Sequence, residues 1–173
     1  MELYLVRHAI AVSSATPGIP DEERVLTEEG IRKMRQAAGG LRALGYIPDL
    51  LLTSPLIRAL QTAEILLEAF GKTPKLKVLP ALAPYGSRQD LYAAVVACGK
   101  KLDRLMLVGH QPSLGEIAGD IIGASPKCLM ELKKGGACAI EVSRGSDPPK
   151  GSLVSLLTPS ILRRIAGEPR IDL

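Results

Sequence analysis

A chain of 173 residues with 46% hydrophobic and 23% charged side chains has an ordinary globular balance and the length of one domain over residues 1–173, which excludes disordered, collagen-like and repeat classes. A single Phe and no Trp leave few aromatic platforms for stacked bases, so no nucleic-acid partner is expected. The net charge of +4 is scattered in pairs such as Lys100-Lys101, Lys133-Lys134 and Arg163-Arg164, a mildly basic surface that favours phosphorylated or acidic partners.

The opening residues Met1 to Arg7 lack a basic start followed by a long apolar stretch, and no apolar run reaches the ~18 residues a membrane span needs. A cytoplasmic location without membrane association is expected. Cys98, Cys128 and Cys138 are odd in number and lack metal-ligand spacing, so they read as small buried thiols.

In chain order, Leu3-Tyr4-Leu5-Val6 reads as a buried strand ending at Arg7-His8. Residues 13–24 are rich in Ser, Thr, Gly and Pro and form a loop long enough to carry function. Thr27 is placed to cap a helix with Ile31, Met34, Ala38, Leu41 and Leu44 on one face and Gly45 at its end. Leu50 to Leu52 predict a strand, Thr53-Ser54-Pro55 a turn, and Leu56 to Phe70 a helix closed by Gly71. Residues 71–88 connect onward through a short strand, Leu76 to Leu79.

A helix from about Asp90 to Cys98 then precedes the strand Leu105 to Val108, which runs into Gly109-His110-Gln111-Pro112 and a helix to Ile122. Ala137–Val142 and Leu153–Leu157 flank a Gly/Pro-rich segment and predict an antiparallel hairpin at the sheet edge, followed by a helix over Ser160–Ile165. Alternating strands and helices predict a three-layer α/β/α fold with a mostly parallel sheet, whose ligands bind at the carboxyl ends of the strands.

The chain's two histidines, His8 and His110, each directly follow a predicted buried strand. Arg7 adjoins the first, and Ser54 to Thr62 puts Arg58 in the first turn of its helix. An arginine there opposes the helix dipole unless an anion lies between them. Guanidinium forks and helix amino ends both select phosphate oxygens, so Arg7, Arg58 and the amides near Pro55 and Pro112 can build one phosphate pocket.

Taken together, the Arg7-His8 pair, Ser54-Pro55-Leu56-Ile57-Arg58-Ala59 and Gly109-His110 resemble the histidine phosphatase superfamily over Glu2 to about Pro159. The resemblance implies the phosphoglycerate mutase-like version of this fold, with His8 as nucleophile, Arg7 and Arg58 as phosphate ligands, and His110 as a second histidine that hydrogen-bonds the transferring phosphoryl group. No cofactor or metal is implied, because phosphoryl transfer chiefly needs positioning and charge stabilisation. Ala9 stands where many relatives carry Gly, and Gln111 where they often carry Glu.

Members acting on alcohol phosphates generally carry a Glu after the second helix that protonates the departing oxygen. Here Gly71 to Arg88 holds no acidic residue. Leu79 to Pro84, the segment Asp21 to Thr27 and Thr158-Pro159 are instead similar to the SixA-like phosphohistidine phosphatases, which implies a phosphohistidine-containing partner protein. A protonated phosphoimidazole leaves as neutral imidazole and needs less acid assistance than an alkoxide. Asp21 is the remaining candidate acid and Arg24 a candidate substrate contact, each also readable as ordinary loop charge. A small phosphate ester is the alternative substrate, and a binding domain without turnover a third reading.

Two other motifs fail on context. Cys98 to Arg104 has cysteine-phosphatase spacing, but the Cys ends a helix and the loop enters a strand. Gly71-Lys72-Thr73 looks like the end of a phosphate-binding loop whose first Gly is replaced by Leu66.

Overall fold

The structure is a computed structural model and describes residues 1–71, 73–123 and 130–167. Six strands form one sheet: β1 (Glu2–Arg7), β2 (Leu50–Thr53), β3 (Lys75–Val78), β4 (Arg104–Gly109), β5 (Ala137–Val142) and β6 (Gly151–Leu157), in the order β3-β2-β4-β1-β5-β6. The first four are mutually parallel, with β4 inserted between β2 and β1, while β5 and β6 add an antiparallel hairpin at one edge. The mixed α/β architecture matches the three-layer α/β/α expectation with a mostly parallel sheet.

Five helices cover both faces: α1 (Glu28–Ala43), α2 (Ile57–Ala69), α3 (Arg88–Gly99), α4 (Ser113–Ile121) and α5 (Pro159–Ile165). Side chains alternate along each strand, so Tyr4 and Val6 join Met34, Leu41, Ala63 and Leu66 in one core layer with α1, α2 and α5. Leu3 and Leu5 join Leu91, Leu114 and Ile117 in the other layer, with α3 and α4. Each fully buried Val, Leu, Ile or Met contributes about 1.5–3 kcal/mol of apolar burial, and β1 and β4 carry such residues on both faces.

Local signals set the helix starts. Thr27, Ser87 and Thr158 each accept a backbone N–H through the hydroxyl, from Gly30, Asp90 and Ile161. Gly45 and Gly71, at φ 76° and 73°, end α1 and α2 in a conformation Gly adopts without strain.

Most differences from the expected elements are shifts of one or two residues. Helix α3 begins at Arg88 because Ser87 caps it, and β6 begins at Gly151. Leu44 does not share the buried face of α1: the helix ends at Ala43, and Leu44 is exposed while Ala37 fills the core. Leu153, Val154 and Leu156 are likewise exposed, since β6 is the sheet's outer strand. Of the cysteines, Cys138 is buried and Cys98 partly exposed; Cys128 lies outside the described residues. No described helix is long and apolar enough to cross a membrane.

The chain leaves β1 toward β2 on one face of the sheet and leaves β4 toward β5 on the other. Between their carboxyl ends lies the crevice where open α/β sheets bind ligands. His8 follows β1 and His110 follows β4.

Candidate active site

The register pairs Arg7 with Gly109, and the His8 backbone N–H donates to the Gly109 carbonyl at 3.0 Å. Adjacent strands thereby deliver the two imidazoles to one place: their ring centroids are 5.0 Å apart with an interplanar angle of 53°. Both side chains are buried, His8 at 5% and His110 at 3% exposure. Gly135, at φ 76°, brings its N–H onto both the Arg7 and His8 carbonyls, at 3.1 and 3.2 Å.

The His8 ring is oriented from within its own turn. Nδ1 lies 2.8 Å from the Ala9 carbonyl oxygen, which only accepts, so Nδ1 carries the proton and Nε2 the lone pair. Ala9 is itself fixed, its N–H donating to Thr62 Oγ1 at 3.0 Å while that hydroxyl donates to the Arg58 carbonyl at 2.6 Å. The Ala9 methyl is buried in the core layer of α1 and α2 and leaves this pairing intact.

Burial pushes the His8 imidazole down to about 4; the bond to Ala9 opposes this, and the charges of Arg58, Arg7 and Lys134 add to it. His110 falls to about 3 through burial and the charges of His8 and Arg58, against the pull of Asp21. At neutral pH both rings are therefore uncharged, and His8 presents a free nucleophilic nitrogen.

Arg58 lies in the first turn of α2 and is 3% exposed. Its Nη1 donates to the Asp21 carbonyl at 2.6 Å and its Nη2 to Asp21 Oδ2 at 2.9 Å. Asp21 begins a short 3-10 turn, Asp21–Glu23, near the end of the 13–24 loop. The neck of that loop is closed by pairing of Ala11 with Leu26, by Val12 N–H on the Val25 carbonyl, and by Gln61 Oε1 accepting from Leu26 N–H at 2.7 Å. Arg24 completes the cluster, its Nε 3.2 Å from Asp21 Oδ1.

Partial burial of Asp21 raises its pKa, but the hydrogen bond and charge of Arg58, with the charge of Arg24, outweigh this and hold the carboxyl below its ordinary value. Asp21 is thus an anion bridging two guanidinium groups. Arg7 Nη1 donates to the Leu132 carbonyl at 2.8 Å. The Nε atoms of Arg7 and Arg58 and the Nδ1 of His110 are buried without a partner among the described residues, leaving polar groups from three elements for an oxyanion to satisfy. No group of three His, Cys, Asp or Glu side chains that could hold a metal ion occurs among the described residues.

All six residues singled out from the sequence, Arg7, His8, Asp21, Arg24, Arg58 and His110, gather at this end of the sheet. The sequence profile of the histidine phosphatase superfamily, branch 1, matches residues 3–87, and a protein of Picosynechococcus sp. is 42% identical over 138 residues, 79% of this chain and 82% of its own. The chain belongs to the histidine phosphatase superfamily. It is accordingly a phosphatase, a hydrolase of phosphate groups.

Within the superfamily it is similar to SixA. Phosphohistidine phosphatase SixA of Escherichia coli is 26% identical over 122 residues, 70% of this chain and 74% of its own. A solved structure assigned as phosphohistidine phosphatase SixA from Agrobacterium tumefaciens superposes with a TM-score of 0.74 at 26% identity, covering 91% of this chain and 97% of that one. Small-molecule phosphatases share the fold too, among them an alpha-ribazole phosphatase of Shigella flexneri, with a TM-score of 0.70 at 18% identity over 92% of this chain and 97% of that one.

Three polar residues between Ser54 and Thr62 contribute contacts that no local sequence pattern reveals. Ser54 bonds His110, Gln61 holds the neck of the loop, and Thr62 ties α2 to Ala9, the residue after His8. A hydroxyl between an apolar strand and a helix was the available signal for Ser54. Gln111, by contrast, turns to the Met130 carbonyl at 2.7 Å and holds the chain after β4.

Proposed function

We propose that this phosphatase removes the phosphoryl group from a phosphohistidine on a partner protein, through a covalent phosphohistidine on His8, within one domain and without a metal. His8 Nε2 attacks phosphorus, the bond to the donor imidazole breaks, and that imidazole leaves neutral with its proton on the other nitrogen. Water then attacks phospho-His8, releasing inorganic phosphate and restoring the free Nε2. Arg7 and Arg58 balance charge on the equatorial oxygens and His110 donates to one of them. Arg24 serves as a further contact to the phosphoryl group or the substrate.

The observation that carries this reading is the state of the carboxylates. Gly71 to Arg88 contains none, and Asp21 is held ionised between Arg58 and Arg24. An ionised carboxylate cannot protonate a departing alkoxide, whereas a phosphoimidazole does not require it. Similarity to the SixA proteins supports the same substrate class.

A panel of phosphohistidine proteins and small phosphate esters, assayed with EDTA present, tests it. The expected result is phosphate release from phosphohistidine with kcat/KM well above that for any ester. His8→Ala removes turnover, and acid-labile phosphate is trapped on His8 of the wild type. The second reading, hydrolysis of a small ester, has the fold shared with small-molecule phosphatases in its favour, and it prevails if esters are the faster substrates.

A further inference from the structure

Ser54 stands at the carboxyl end of β2, fully buried, with Oγ 2.8 Å from His110 Nε2. The Leu56 backbone N–H approaches the same oxygen at 3.3 Å. A serine hydroxyl has one proton to give and two lone pairs. With Leu56 as donor to it, the hydroxyl proton has one acceptor in reach among the described residues, His110 Nε2, and a buried O–H left without an acceptor costs about 1–3 kcal/mol. Ser54 is therefore the donor in this bond, and Nε2 carries a lone pair.

The proton of the neutral His110 ring then sits on Nδ1, the atom that is buried without a partner among the described residues, on a ring 5.0 Å from that of His8. We propose that Ser54 is a positioning residue: its hydroxyl holds His110 in the Nδ1–H form, so that His110 meets the phosphoryl oxygen with a donor. Resting on the superfamily reading of His110, the inference adds how the correct form of that ring is selected. Without the hydroxyl, Nε2–H becomes competitive and Nδ1 turns a lone pair toward an anionic oxygen, which repels it. Both imidazoles are then set alike, His8 by the Ala9 carbonyl and His110 by the Ser54 hydroxyl. The outcomes are opposite: His8 faces the phosphoryl group with a lone pair, His110 with a proton.

Because the chain has only two histidines, 15N-histidine labelling resolves both rings in one long-range proton–nitrogen correlation spectrum, with His8→Ala assigning the pair. At neutral pH the wild type is expected to show His110 protonated at Nδ1. Ser54→Ala is expected to move His110 toward Nε2–H and to lower kcat about 10²-fold, the scale of losing one transition-state donor, with KM nearly unchanged. A wild-type His110 protonated at Nε2 overturns the proposal, as does a Ser54→Ala protein with unchanged ring form and kcat. If Ser54→Ala does not fold, the wild-type spectrum decides alone. The spectrum needs no substrate, so inactivity on phosphohistidine with His110 in the Nδ1–H form would defeat the substrate reading and leave this one standing.

Discussion

Thr62 couples three parts of the site through one hydroxyl. It donates to the Arg58 carbonyl and accepts from Ala9 N–H, and Ala9 in turn orients His8. Thr62→Val keeps the shape and deletes the hydroxyl, leaving the Ala9 N–H buried and unsatisfied at a cost of about 1–3 kcal/mol. The expected result is a melting temperature lower by several degrees and a reduced kcat, both restored by Thr62→Ser, as calorimetry and steady-state kinetics would show. His8 also carries a pH signature. Held down to about 4, it stays uncharged at pH 5, where an ordinary imidazole near 6.5 is mostly protonated. After correction for substrate ionisation, kcat/KM in short assays should be flat from pH 5 to 7 and fall tenfold per unit only below about pH 4. An acid limb near 6.5 would contradict the burial of His8.

At the scale of elements, the 13–24 loop carries an anion of its own onto Arg58, the arginine proposed to bind phosphate. The carboxylate of Asp21 occupies Nη2 of Arg58 and faces Arg24, so an incoming phosphoryl group competes with it. Asp21→Ala is expected to lower the inhibition constant for inorganic phosphate about threefold, a modest factor because half of the Asp21 side chain is exposed. If Asp21 were the acid instead, the same change would leave phosphate affinity alone and reduce turnover. Strands β1, β2 and β4 and the starts and ends of α1 and α2 were legible in the sequence because each rests on neighbouring residues: an apolar run, the Thr27 cap, the glycine after the helix. The 3-10 turn at Asp21 was not, since its position depends on Arg58, and the pairing of Ala9 with Thr62 joins positions with no common local pattern. Leu153 and Leu156 were legible as part of an edge hairpin, and their exposure follows from that place as the sheet's last strand. The residues around His8 were visible one by one, and the contacts that set their protonation were not.

For the whole molecule, two uncharged histidines locked in the interior tie stability to pH. Both have folded values, about 4 and about 3, below the ~6.5 of an unfolded chain. Between those limits the unfolded state binds more protons, so the stabilising contribution is complete above about pH 6.5, is lost progressively as pH falls below it, and is fully gone below the folded values. Each histidine withdraws on the order of 2 kcal/mol by pH 5. Denaturant midpoints are expected to drop between pH 7 and pH 5, and His110→Gln should flatten part of that slope.

The insertion of β4 between β2 and β1 also bears on how the enzyme is born. His8 and His110 are separated by more than a hundred residues of sequence, and until β4 has left the ribosome the strands on either side of it have no partner to join them. A nascent chain that already displays His8, Arg58 and the whole 13–24 loop still lacks the second imidazole and the strand that aligns the first. Loop closure over such a distance is slow relative to local helix formation. A fragment that ends before β4 lacks both His110 and the strand that aligns His8, and it is expected to release no phosphate.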